Sequence, residues 1–243
     1  MNFEILLSDP PWLYADKANA GERGAAFKYP TMSVDGICAL DVQAHMAPES
    51  ACFMWATAPC LPEALRVMAA WGYEYSTIAF TWVKTRSVRT VEARRIVRAG
   101  FPTMQARADR VVGELAAAGL VTSKIHIGLG KSTRANAEFV LLGLRGRMGR
   151  VDAGVRQILM SPLREHSAKP PEVRERIVQL LGDRPRLEMF ARERAPGWAA
   201  WGFDAPGGSD VEVVPRRMGA TGPEYRDERQ LTLGLHGGAQ DGE

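Results

Sequence analysis

Along residues 3–191, short apolar runs alternate with amphipathic segments, and this alternation points to an α/β fold with a mainly parallel sheet. Residues 3–7 read as a buried strand. Ser33 is placed to cap a short helix running through Leu40. Residues 51–56 form a second apolar strand. The next segment sets Leu61, Leu65, Met68 and Trp71 on one helical face, closed by Gly72. Residues 75–83, rich in aromatic and β-branched side chains, read as a third strand. Further strands are expected at 138–144, 155–160 and 186–191, with an amphipathic helix over 171–181.

The chain has 243 residues, 46% of them hydrophobic, enough for one large α/β domain or two small ones. Cys38, Cys52 and Cys60 are odd in number and lack metal-ligand spacing, so reduced thiols in a cytoplasmic protein are expected and no metal. The start has no basic leader, and no run nears the length of a membrane span, so no membrane partner is expected. Net charge is only +3, yet residues 84–134 hold 11 Lys/Arg against 3 Asp/Glu. Within that stretch, 88–99 and 103–118 read as helices separated by Gly100 and Pro102. An insertion at about 85–130 is therefore either an ordinary solvated element or one that contacts phosphates. From Pro206 the chain turns rich in Gly, Pro and charge, and a flexible tail is expected over 206–243, after a domain of 1–205.

The first strand runs into Asp9-Pro10-Pro11-Trp12. At its simplest this is a turn leaving a strand. It also sets a carboxylate, a stiffened backbone and an aromatic ring together at a sheet edge. A nucleobase amine is a weak nucleophile because its lone pair is delocalised into the ring. Asp9 and a proline carbonyl could accept the amine hydrogens and localise that pair, the prolines having fixed φ in advance. Trp12 would offer a stacking face.

Further segments resemble the DPPW-class adenine-N6 methyltransferases, the family of the seventy-kilodalton mRNA adenosine methyltransferase subunit. They are Tyr29-Pro30-Thr31-Met32-Ser33, Phe53-Met54-Trp55-Ala56-Thr57 with Leu61-Pro62-Glu63-Ala64-Leu65, and Thr133-Arg134-Ala135-Asn136-Ala137-Glu138. Arg164-Glu165-His166-Ser167-Ala168-Lys169-Pro170, Leu187-Glu188-Met189-Phe190-Ala191-Arg192, and Gly197-Trp198 with Trp201-Gly202 follow in the same order. The resemblance implies a Rossmann-like, S-adenosylmethionine-dependent methyltransferase fold with helices on both faces and the catalytic loop first. The absence of G-x-G-x-x-G after the first strand agrees with that order.

The resemblance places Asp9, Lys169, Glu188 and Arg192 around the donor. Arg194 and Asp204 stand where the family has other polar residues, and both are carried as donor-site candidates. On the target side stand Trp12, Tyr14 and Tyr29, with Lys84, Arg94, Arg95, Arg98, Lys131 and Arg134 towards the nucleic acid. Lys131-Ser132 and Phe203 depart from the family pattern. His166 is expected to shape the Lys169 loop, and Glu138 to be structural. The implied activity is methylation of adenine N6 in DNA. RNA adenine, cytosine N4, and a silent nucleic-acid-binding subunit remain as alternatives, alone or within a homo- or heterodimer.

Overall fold

The computed structural model describes residues 2–12, 31–86, 124–128, 132–164, 168–202 and 206–216. The expected helices at 88–99 and 103–118 lie outside them.

Among the described residues, eight strands form one mixed sheet: β1 (Phe3–Ser8), β2 (Met46–Ala56), β3 (Glu74–Arg86), β4 (Lys124–Ile125), β5 (Ala137–Arg145), β6 (Ile158–Pro162), β7 (Arg186–Met189) and β8 (Ala199–Trp201). Their order is β4-β3-β5-β2-β1-β7-β8, with β6 paired to β3. The β1–β2, β1–β7, β7–β8 and β3–β6 pairs are parallel, whereas β4 and β5 run against their neighbours. The sheet is thus mostly parallel, consistent with a Rossmann-like methyltransferase fold.

Among the described residues, three α-helices cover the sheet: α1 (Val34–Ala39), α2 (Leu61–Ala70) and α3 (Glu172–Leu181). The period-two alternation of the central strands sends side chains to both faces. Leu6, Cys52 and Met54 pack with Ile37, Val67 and Met68 of α1 and α2. Ile5, Leu7, Phe53 and Trp55 pack with Val173, Ile177 and Leu181 of α3. Burying each of those α3 side chains contributes about 1.5–3 kcal/mol, so α3 is held by its apolar stripe.

Ser33 caps α1 as expected, its hydroxyl accepting from the Gly36 N–H at 3.1 Å. The Trp71 indole donates to the Ile37 carbonyl at 2.9 Å and ties α1 to the end of α2. Leu65, however, is exposed, and Ala64, Val67 and Met68 form the buried stripe of α2. The small Ala64 lets the helix approach the sheet closely, which turns the stripe away from Leu65. β2 begins at Met46, ahead of its apolar part, because Phe3 of β1 pairs with it there.

The expected boundary at 205 precedes the last docked segment. Residues 206–216 lie on the domain: Asp210 N–H donates to Ala200 O at 2.8 Å, Asp41 N–H to Val214 O at 2.8 Å, and Arg216 N–H to Ala39 O at 2.7 Å. Val213 is buried in the core beside α1. Val213, with Val211 packed beside it, is a very short apolar anchor in a Gly- and Pro-rich stretch, so composition alone conceals it.

Candidate active site

In open α/β sheets, ligands bind beyond the carboxyl ends of the strands, where successive connections depart in opposite directions. Here that point is β1. The chain leaves it through α1 to reach β2 on one side, and returns through α3 to β7 on the other. Asp9 follows β1 directly, with its N–H turned towards Met189 O of β7.

The proline carbonyls of the tetrapeptide already carry bonds. Trp12 N–H donates to Pro10 O at 2.9 Å and Met32 N–H to Pro11 O at 3.0 Å. Each carbonyl keeps a second lone pair. Trp12 pairs with Met32 and is only 6% exposed, within the core cluster on the α1 and α2 face. The expected stacking ring is thus also a core anchor for the loop.

Lys169 enters the site from the segment leading into α3. Its ammonium lies 2.9 Å from Asp9 Oδ2 and 3.4 Å from Glu138 Oε2. Lys84 binds the other Glu138 oxygen. The Lys169 ammonium stands 5.4 Å from the Trp55 ring centroid and that of Lys84 5.2 Å from Trp82, while the two indoles meet edge to face. Burial alone would lower the Lys169 pKa, but Asp9 and Glu138 outweigh it and hold the ammonium above the ordinary lysine value. Burial likewise pushes Glu138 up, yet Lys169 and Lys84 prevail and keep its carboxyl below the usual range.

Glu188 lies on β7 opposite Leu7. Arg174 of α3 grips it at two points, Nε to Oε2 at 2.7 Å and Nη2 to Oε1 at 2.8 Å, and reaches Glu193 with Nη1 at 2.7 Å. Burial raises the Glu188 carboxyl above its ordinary value against the pull of Arg174, with the Asp9 charge adding to the rise. Each Glu188 oxygen retains acceptor capacity for a further partner.

Beyond β7 the chain turns sharply. Phe190 sits at φ +60° and meets Trp201 edge to face at 5.1 Å. A left-handed, bulky residue stores strain and is held only by its surroundings. A Cβ on Gly202 would fall 2.4 Å from Ala191 O, so only glycine allows β8 this close to the turn.

The structure thus brings Asp9, Lys169, Glu188 and Lys84 to one edge. Lys84 is turned to Glu138 instead of projecting outward as a phosphate contact. Arg194, carried as a donor-site candidate, is bonded within the fold. Its guanidinium binds both Asp210 oxygens at 2.9 Å, Pro206 O at 2.6 Å and Gly208 O at 2.8 Å, anchoring the docked segment. Arg192 is exposed just past β7, and Arg134 is exposed before β5. Tyr14, Tyr29, Arg94, Arg95, Arg98, Lys131, His166 and Asp204 lie outside the described residues.

Sequence reasoning undervalued Glu138 and passed over Arg174 and Trp55 as site residues. A carboxylate opening an otherwise apolar strand was the available signal for Glu138, since buried acids require partners. Among the described residues no group of three or more His, Cys, Asp or Glu could hold a metal ion, and no helix is long and apolar enough to cross a membrane.

The chain is 27% identical over 222 residues to the Type II methyltransferase M.MunI of Mycoplasma sp, a match spanning 84% of this chain and 78% of that protein. It also matches MT-A70 over residues 3–101 and 120–204, with the interruption falling inside the basic stretch. Sheet order, site position and these two matches lead to one conclusion: the chain belongs to the MT-A70 family and is a methyltransferase.

Proposed function

We propose that the protein transfers a methyl group from S-adenosylmethionine to the exocyclic N6 amine of adenine in DNA. The observation that carries this reading is the Asp9 carboxylate at the β1 switch point, beside the Lys169 ammonium and next to β7. When bound, S-adenosylmethionine supplies an electrophilic methyl group on a sulfonium sulfur.

The residues present suit such a donor. Lys169 has three N–H donors, of which two face Asp9 and Glu138, leaving one for a donor carboxylate. The spare lone pairs of Glu188 suit ribose hydroxyls. Asp9 has the charge to favour a sulfonium nearby. Its carboxylate and the second lone pairs of the Pro10 and Pro11 carbonyls can take the two amine hydrogens, increasing the electron density on nitrogen. Catalysis then comes from positioning and electrostatics, with no covalent enzyme intermediate.

Adenine paired in a duplex is inaccessible, so the base must be flipped out or offered in a single strand. The net positive charge of residues 84–134 supports a nucleic-acid substrate. We favour DNA because the described residues form one sheet domain without a separate module for gripping folded RNA.

The purified protein, labelled donor, and DNA or RNA oligonucleotides provide the test, with the modified nucleoside identified by mass spectrometry. N6-methyl-2′-deoxyadenosine, in the DNA arm only, is expected. Label on RNA, on cytosine or on neither polymer overturns the reading.

A further inference from the structure

We propose that Glu138, backed by Lys84, is a positioning residue for methyl transfer, holding Lys169 at a set distance from Asp9. This deepens the reading of Asp9 as the target-amine acceptor and rests on it.

Four charges alternate along the carboxyl edge of the sheet: Lys84, Glu138, Lys169, Asp9. They come from four separate parts of the chain. Trp82 pairs across to Glu138, so Lys84, two residues further along β3, shares its face and falls beside the start of β5. Trp55 and Trp82 belong to the core on the α3 side, the same side from which the Lys169 segment leads into α3. The Ser161 hydroxyl donates to Glu172 Oε1 at 3.1 Å and ties the first turn of α3 to β6. Lys169 is therefore delivered to a place bounded by the Trp55 indole and two carboxylates.

The arrangement divides Lys169 between two anions. Its ammonium is 2.9 Å from Asp9 and 3.4 Å from Glu138. The Asp9 contact is already a full hydrogen-bond distance, so Glu138 acts on direction: with it removed, Asp9 is the one carboxylate left to Lys169, and the ammonium can turn about that contact and cover the Asp9 lone pairs an incoming amine needs. Lys84 keeps Glu138 itself from swinging, because it occupies Oε1 while Oε2 faces Lys169. Partly buried charge networks contribute little net stability compared with apolar side chains of similar volume. The consequence of this network is geometric.

Among the described residues, the charged groups around Lys169 are Asp9 beyond β1, Glu138 on β5 and, through Glu138, Lys84 on β3. Glu188 on β7, held by Arg174 of α3, senses the Asp9 charge. Removing the Glu138 charge takes away one of the two anions that favour the protonated lysine.

Glu138→Gln tests the proposal through two readouts. The first needs neither donor nor nucleic acid: acylation of Lys169 by acetyl N-hydroxysuccinimide across a pH series, quantified by peptide mass spectrometry. The Lys169 titration should move to lower pH, with acylation at mildly alkaline pH at least about threefold faster. The second is methyl transfer to adenine-containing DNA. There kcat should fall about tenfold or more while the KM for S-adenosylmethionine stays within about threefold, the pattern of a misplaced reacting group.

If Glu138→Gln fails to fold, Glu138→Gln with Lys84→Met restores the charge balance and is read in the same way. An unchanged Lys169 titration overturns the proposal, as does a shifted titration with unaltered kcat. A wild-type protein that methylates no polymer overturns the functional reading instead, and the acylation series still decides the pairing.

Discussion

The Lys169 ammonium lies 2.9 Å from the Asp9 carboxylate, joining the segment before α3 to the end of β1. The acid best placed to receive an amine therefore already carries a counter-ion. An amine must share Asp9 with Lys169, so small changes in this pair should be felt in the chemistry before they are felt in the fold.

Asp9→Asn keeps the side-chain shape and removes its charge. Lys169 still has Glu138, so unfolding by urea should change by about 1 kcal/mol or less. Methyl transfer should fall on the order of a hundredfold or more, the scale of losing one electrostatic contact to the reacting centre. Retained transfer would remove Asp9 from its role.

Arg174→Met should be far more damaging to stability than its place on a helix suggests. Both partners of the Arg174–Glu188 pair are largely buried, with side chains 14% and 13% exposed. Deleting the guanidinium strands a carboxylate, costing about 3 kcal/mol. A second change, Glu188→Gln, should recover much of that loss in equilibrium unfolding, since the orphaned charge is gone.

Gly202→Ala places a methyl group 2.4 Å from Ala191 O and 2.6 Å from Ala191 N. Both contacts are backbone and cannot swing aside. A destabilisation of about 2 kcal/mol or more is expected from this overpacking, with the turn at Phe190 disturbed first. Circular dichroism melts and donor-binding calorimetry would report the two effects.

Asp210 receives the Ala200 N–H at 2.8 Å and two Arg194 bonds, which hold its carboxyl below the ordinary carboxylate range. A depressed folded pKa means that its contribution is complete above the unfolded value of about 3.9 and is lost as pH falls through the folded value. Docking of residues 206–216 should therefore hold from neutral pH down to about pH 4 and loosen below it. Hydrogen exchange at the Ala200 amide is the measurement, and Asp210→Asn should produce the same loosening at neutral pH.

Much of this fold was legible because its central strands contain short, mainly apolar cores. The segments 3–7, 51–56 and 186–191 stand out by hydrophobicity, and α3 by its Val173, Ile177 and Leu181 stripe. The direction of β5 was not legible. Its residues 138–144 read as a strand either way, and only pairing with β2 and β3 makes it antiparallel. The face of α2 was misjudged at Leu65 because helical spacing locates a stripe without saying which small residue makes the close approach.

The candidate site divides in the same way. Asp9 and Glu188 could be singled out from local residue types, since a carboxylate beside two prolines or at a strand end is a local fact, whereas Lys169 was named through the family resemblance, a lysine before two prolines reading by itself as exposed loop. Their partners could not. Glu138 with Lys84, Arg174 with Glu188 and Arg194 with Asp210 are contacts between distant segments, and charge-pair geometry depends on strand register and on where α3 crosses the sheet. Local chemistry and ordered family motifs thus identified the groups able to act, while their distances and mutual restraint arose only when the folded chain brought them together.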